Sequence, residues 1–162
     1  MPITLNEEQV RWILYGGPTL AVASRSASLR PSIGQAIGCR LEAGSSRFAF
    51  FLLVPRNRDV VIDLRTGREV AVVITRSSTT RSLQIKSNCA REVPLTPADE
   101  ACMSNYLETV VREWAQDGTP QAFTRAVMVT APGPVAAFEM EMMVAFDQTP
   151  GPRAGEPLPG GA

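Results

Sequence analysis

Apolar positions along this chain change period several times, and each change marks an element. In the first segment Val10, Ile13 and Leu14 recur at helical spacing. Asn6 and Gln9 precede them with the spacing of a capping box, and Gly16-Gly17 predicts the end of that helix. From residue 19 the period shortens. TLAVAS (19–24), SIGQAIGCRLE (32–42), RFAFFLLVP (47–55) and EVAVVITRS (69–77) read as strands, the fourth rich in β-branched residues. In SLQIKS (82–87), Leu83 and Ile85 alternate with Ser82, Gln84 and Lys86, the pattern of a strand with one buried face. We extend that fifth strand through NCAREVPL, and VAAFEMEMMVAFD (135–147) predicts a sixth.

Helical spacing returns twice more. RDVVIDLRTG (58–67) predicts a short helix capped by Asn57 and stopped at Gly67. TPADEACMSNYLETVVREWAQDG (96–118) is the clearest helix. Thr96 caps it, Pro97 takes its first position, and Asp99 and Glu100 suit its positive end. Met103, Leu107, Val110, Val111 and Trp114 form its inner stripe. QAFTRAVMV (121–129) fits either a helix or a strand. Gly34 and Gly38 weaken the second strand and mark a bulge or a close approach of its backbone to a neighbour or ligand. Six strands joined mostly by short turns predict a mainly β (α+β) domain over 1–150: an antiparallel barrel or sandwich with flanking helices. Residues 151–162 form a Pro/Gly-rich tail with no regular structure and a loose end. FDQTPGP, at the start of that tail, is either a turn that closes the last strand or an ordered loop packed on a ligand or partner.

Composition narrows the chemistry. Of 162 residues, 16 are basic and 16 acidic, so no overall field draws a nucleic acid. No segment has the roughly 20 apolar residues of a membrane span, and MPITLNEEQVRW has no signal-peptide pattern; a cytoplasmic protein is expected. Cys39, Cys89 and Cys102 are far apart and never form a CxxC pair, which speaks against a zinc site or a disulfide framework. Histidine is absent, which removes the Ser-His-Asp triad and the imidazole ligands of haem and zinc. Redox or group-transfer chemistry in such a chain falls to a bound cofactor. Two stretches are candidates to hold one. VPRNRD (54–59) places Arg56 and Arg58 beside the amides of a helix start, which suits a phosphate; the same stretch also reads as a solvated loop. The polar face of STTRSLQIKS (78–87) either meets water or holds a ligand.

The order of these elements resembles the pyridoxamine 5'-phosphate oxidase-like family of FMN-binding split barrels. It runs from LAVASRSASLRPSIGQAIGCRLE through FAFFLLVPRNRDVVIDLRTGREVAVVITRSSTTRSLQIKS. Two strands lead to a third that ends in an arginine loop. A short helix, a β-branched strand and an Arg-x-hydrophobic-x-hydrophobic strand follow. FDQTPGPRAGEPL looks like the ending of a bacterial subgroup. The resemblance implies a six-stranded split barrel working as a homodimer with FMN between subunits. By position it implies that Gly34, Gln35, Ala36 and Ile37 lie at the flavin ring, that Val54 and Pro55 follow, and that Arg56, Arg58 and Arg81 serve the phosphate. Ser82 and Gln84 would hydrogen-bond the cofactor. The chain departs from the oxidase in having Gly34 and Cys39 near the places of second-strand basic residues, Ser82 for a glutamine, and no Arg-x-His segment. Those departures argue against vitamin B6 oxidation. They leave three readings: an FMN-dependent oxidoreductase acting on a small molecule, a flavin- or deazaflavin-binding carrier or sensor, and a dimer of this fold without cofactor. No metal site is expected.

Overall fold

The computed structural model describes residues 2–128 and 133–158. Helix α1 (Glu7–Tyr15) opens the chain and has the expected capping box, with Asn6 and Gln9 bonding each other's backbone amides at 2.9 Å. The strands β1 (Thr19–Arg25), β2 (Pro31–Leu41) and β3 (Arg47–Leu53) follow as an antiparallel meander. A 3-10 turn over Val54–Arg56 leads into α2 (Arg58–Thr66). Then come β4 (Val70–Thr75), β5 (Ser82–Ser87), β6 (Arg91–Val93), α3 (Pro97–Gln116), α4 (Gln121–Met128), β7 (Val135–Glu141) and β8 (Val144–Asp147). The ambiguous segment at 121–129 is thus helical through Met128, with Val129 outside the described residues.

The described strands form one antiparallel sheet in the order β6-β7-β3-β2-β1-β4-β5-β8. This corrects the expected architecture in two ways: eight strands replace six, and the sheet is not closed. The physical cause is a change of neighbours inside two predicted strands. The fifth stops at Ser87, where β5 is paired with β4, and resumes at Arg91 as β6, which pairs with β7. The sixth bends at Met142–Met143; before the bend it pairs with β3, after it with β5. Met142 N–H donates to Ser46 at 2.7 Å and Met143 N–H to Lys86 at 3.1 Å, so one bend bonds both halves of the sheet.

The core lies between those halves. Phe50 stacks on Phe138 at 5.9 Å, and Phe48 stands 6.3 Å from Phe50. Leu20, Val22, Val72, Ile74 and Ile85 face them and are fully buried. On α3 the stripe is half as expected. Val110 and Val111 are buried and Leu107 and Trp114 pack at the margin, but Tyr106, Thr109 and Glu113 are also buried. Buried Glu113 accepts from Arg76 at 3.1 Å and from the Ser78 amide at 3.0 Å, so it ties α3 to the loop before β5. Over its described residues the tail folds back on β8. Leu158 N–H donates to Ala145 at 2.8 Å, Asp147 N–H to Glu156 at 2.9 Å, and Pro157 bridges Phe146. The expected loose end, 159–162, lies outside the described residues.

Candidate functional site

Asn57 organises the entrance to α2. It is buried, and its side chain faces away from the helix that it precedes. Its Oδ1 accepts from the Gln35 amide at 2.9 Å, and its Nδ2 donates to the Leu53 carbonyl at 2.8 Å. One side chain therefore fastens β2 to the end of β3. The contact also explains Gly34, since a Cβ there would stand 2.1 Å from Asn57 Oδ1. The backbone approach expected at Gly34 is an approach to Asn57. A second consequence concerns α2 itself: its first turn receives no side-chain cap. Those amides carry the positive end of the helix dipole and suit an anion. Arg58 begins the helix, is exposed, and has no ion-pair partner among the described residues. Arg56 is also exposed and donates from one guanidinium nitrogen to the Val127 carbonyl at 2.6 Å. Val54 is half-buried, Pro55 is exposed, and Pro55 lies close against Gly133.

The second group of candidates lies on the outer face of the sheet. Register places Gln35, Ala21, Val73, Gln84 and Phe146 in one row across five strands, all half-buried. Residues directly opposite one another share a face, so Gln35 and Gln84 look the same way, three strand spacings or roughly 14 Å apart. Gln35 donates to Met128 Sδ at 3.3 Å, which brings α4 to one end of the row. Gln84 accepts from Gln148 at 3.4 Å at the other end, where Lys86 lies 5.0 Å from the centre of the Phe146 ring. Ala36 points the opposite way and is fully buried; Ile37 is half-buried beside the bulge between Ala36 and Cys39.

Ser82 and Arg81 are engaged within the chain. Ser82 Oγ lies 2.9 Å from Thr75 Oγ1 and donates to the Thr80 carbonyl at 3.1 Å. Arg81 makes a two-pronged contact with Glu8, at 2.6 and 2.8 Å, and its guanidinium sits 4.8 Å from the centre of the Trp12 ring. The Arg81 hydrogen bonds hold the Glu8 carboxyl below the usual carboxylate range. Sequence reading missed Asn57 as the link between β2 and β3, and Glu8 and Trp12 as the partners of Arg81. The glycine inside β2 was the available signal for the first. Nothing local signals the second.

No protein-family model and no curated protein matches the sequence. Solved structures do. HupZ of Group A Streptococcus superposes with a TM-score of 0.52 at 17% identity, over 91% of this chain and 98% of that one. A Lactobacillus delbrueckii protein described as a candidate pyridoxamine 5'-phosphate oxidase gives 0.53 at 13% identity, over 88% and 93%. The chain shares the fold of the pyridoxamine 5'-phosphate oxidase-like proteins. An F420 reductase has the same fold, with a TM-score of 0.50 at 10% identity over 83% of this chain and 94% of that one. Of the residues expected at a cofactor, Arg56 and Arg58 stand at the α2 start, Gln35 and Gln84 share the outer row, and Arg81 and Ser82 are engaged within the chain. No described helix is long and apolar enough to cross a membrane.

Proposed function

We propose that this chain is an FMN-binding protein and an oxidoreductase acting on a small molecule, working as a cytoplasmic homodimer. The observation that carries the reading is the start of α2. The residue that would cap this helix is turned to Gln35, the first-turn amides lack a side-chain partner, and Arg58 stands beside them without a counter-ion. A flavin phosphate supplies the dianion that such a place favours. Arg58 would hold it together with those amides, and Arg56 would add a second charge while keeping its bond to Val127. Arg81 has its charge matched by Glu8 and contributes less. The ring would lie along the half-buried row, with the Gln35 and Gln84 amides as hydrogen-bonding ends and the small side chains of Ala21 and Val73 between them. A second copy covering this face would exclude water from it. FMN, when bound, supplies hydride and electron transfer. The chain's own part is to bind, orient and shield, and we assign no side chain as acid or base.

The alternative is a carrier or sensor of flavin, or of a deazaflavin, that does not turn over; it is favoured over a vitamin B6 oxidase by Gly34 and Cys39 standing near the places of that enzyme's second-strand basic residues. A visible spectrum of the purified protein tests the common ground. Bands near about 370 and 450 nm, from bound or added FMN, are expected of a flavoprotein. A colourless protein that takes up no FMN would overturn both readings. Arg58→Ala is expected to weaken FMN binding by about 1–3 kcal/mol, and Arg81→Ala by less. Equal losses would refute the assigned role of Arg58. Reduction of bound FMN by NADH or NADPH, followed by stopped flow, separates oxidoreductase from carrier. Size-exclusion chromatography with light scattering tests the dimer.

A further inference from the structure

We propose that Cys39 and Cys102 are a dithiol that closes to a reversible disulfide and staples helix α3 to strand β2. The two residues are far apart in sequence but line one small, mostly apolar pocket of about 80 Å³, together with Ile13, Leu14 and Tyr106. The seam between their elements is unusually tight. β2 carries a bulge between Ala36 and Cys39, and at Gly38 a Cβ would stand only 3.2 Å from the Cα of Met103. Cys39 follows Gly38, and Cys102 precedes Met103. The glycine lets β2 and α3 approach closely at the positions next to the two cysteines, and a disulfide needs such an approach, with about 4.4–6.8 Å between its Cα atoms. Cys89 lies elsewhere, in the turn before β6, with its sulfur 3.3 Å from Ser87 Oγ.

The two thiols differ in access, and that sets the order of events. Cys39 is buried and Cys102 half-buried at the pocket. A small disulfide such as oxidised glutathione is the co-reactant. The Cys102 thiolate attacks one of its sulfurs, forms a mixed disulfide and releases one glutathione thiolate. The Cys39 thiolate then attacks the Cys102 sulfur, and the second glutathione thiolate leaves. Two electrons pass to the small disulfide, each protein thiol loses a proton, and the two leaving thiolates take protons up. Burial pushes the Cys39 thiol up to about 12, with the nearby Cys102 adding to the shift. Burial and Asp99 raise Cys102, and Arg40 opposes them. Both shifts keep the thiols protonated at neutral pH, so the exchange is run at a raised pH.

The three cysteines fall in three different tryptic peptides, so the test is direct. The full-length Cys89→Ala protein is incubated natively with oxidised glutathione at about pH 8.5, alkylated, digested and analysed by mass spectrometry. The expected product is a Cys39–Cys102 linked peptide that a reductant reverses, with a thermal midpoint raised by about 10 °C through a closed loop of about 60 residues. In the Cys39→Ser variant the reaction should stop at a glutathione adduct on Cys102. Two free thiols after incubation, or a stable Cys102–glutathione adduct in the protein that retains Cys39, would overturn the proposal.

Discussion

Asn6 and Asn57 each precede a helix of nine residues, and they do opposite things. Asn6 is exposed and bonds its own helix in a closed local motif. Asn57 is buried, leaves its helix uncapped, and bonds a strand amide 22 residues away. The first stabilises one helix end. The second joins β2, β3 and α2 and leaves a helix terminus open to an anion. The same side chain thus serves as a local stop in one place and as a tertiary fastener in the other, and only the fastener leaves its helix without a side-chain cap.

The sharpest way to break this contrast is Asn57→Ala. It strands the Gln35 amide and the Leu53 carbonyl, each at a cost of about 1–3 kcal/mol, so a loss of about 4 kcal/mol is expected in urea unfolding. Gly34→Ala drives a methyl group into Asn57 and should cost about 2 kcal/mol. Its cost should shrink in the Asn57→Ala background, and a double-mutant cycle without coupling would show that the clash is not with Asn57.

Asp99 offers an intermediate case. It completes a capping box with Thr96 at the start of α3, yet it is fully buried and accepts from Arg40 at 2.7 Å. Burial alone pushes its carboxyl up, but hydrogen bonds from Arg40 and Thr96 outweigh this and hold it below the usual range. A depressed folded-state value gives stability that is present above the unfolded pKa, near about 4, and is lost as pH falls through the folded value. Asp99→Asn should therefore cost about 1.5 kcal/mol at pH 7 and flatten the acid limb of the stability curve. The smallest effect is expected for Asn6→Ala, about 1 kcal/mol by the same measurement. If it matches Asn57→Ala, the distinction between local and tertiary caps fails.

Much of the fold was legible because its signals are local. Alternation in β1, β4 and β5, the capping box at Asn6, and the Thr96-Pro97 helix start each depend on residues within a few positions. What escaped depends on partners distant in sequence. The strand read over 135–147 looks continuous, because nothing in EMEMM says that its two halves bond different neighbours. Arg81 is expected to serve a phosphate, but Glu8, 73 residues away, holds it. Glu113 is absent from the stripe read on α3, although it is buried there. At the candidate site the arginine loop was legible as a loop with charge. The diversion of Asn57 that opens the helix start to an anion was not, because it depends on Gln35.

The folded-back tail has a consequence for how this sheet meets other molecules. A sheet edge with unpaired amides and carbonyls invites another strand to extend it, and so promotes aggregation. The two edges here are blunted differently. β6 is only three residues long, while β8 is covered by the chain's own ending, with Leu158 and Glu156 bonded to it and Pro157 placed where an amide would otherwise be offered. The Pro-rich ending, which reads as discardable chain, is thus an edge guard. Cutting it away would expose a sticky strand, and keeping it leaves that edge paired within the chain.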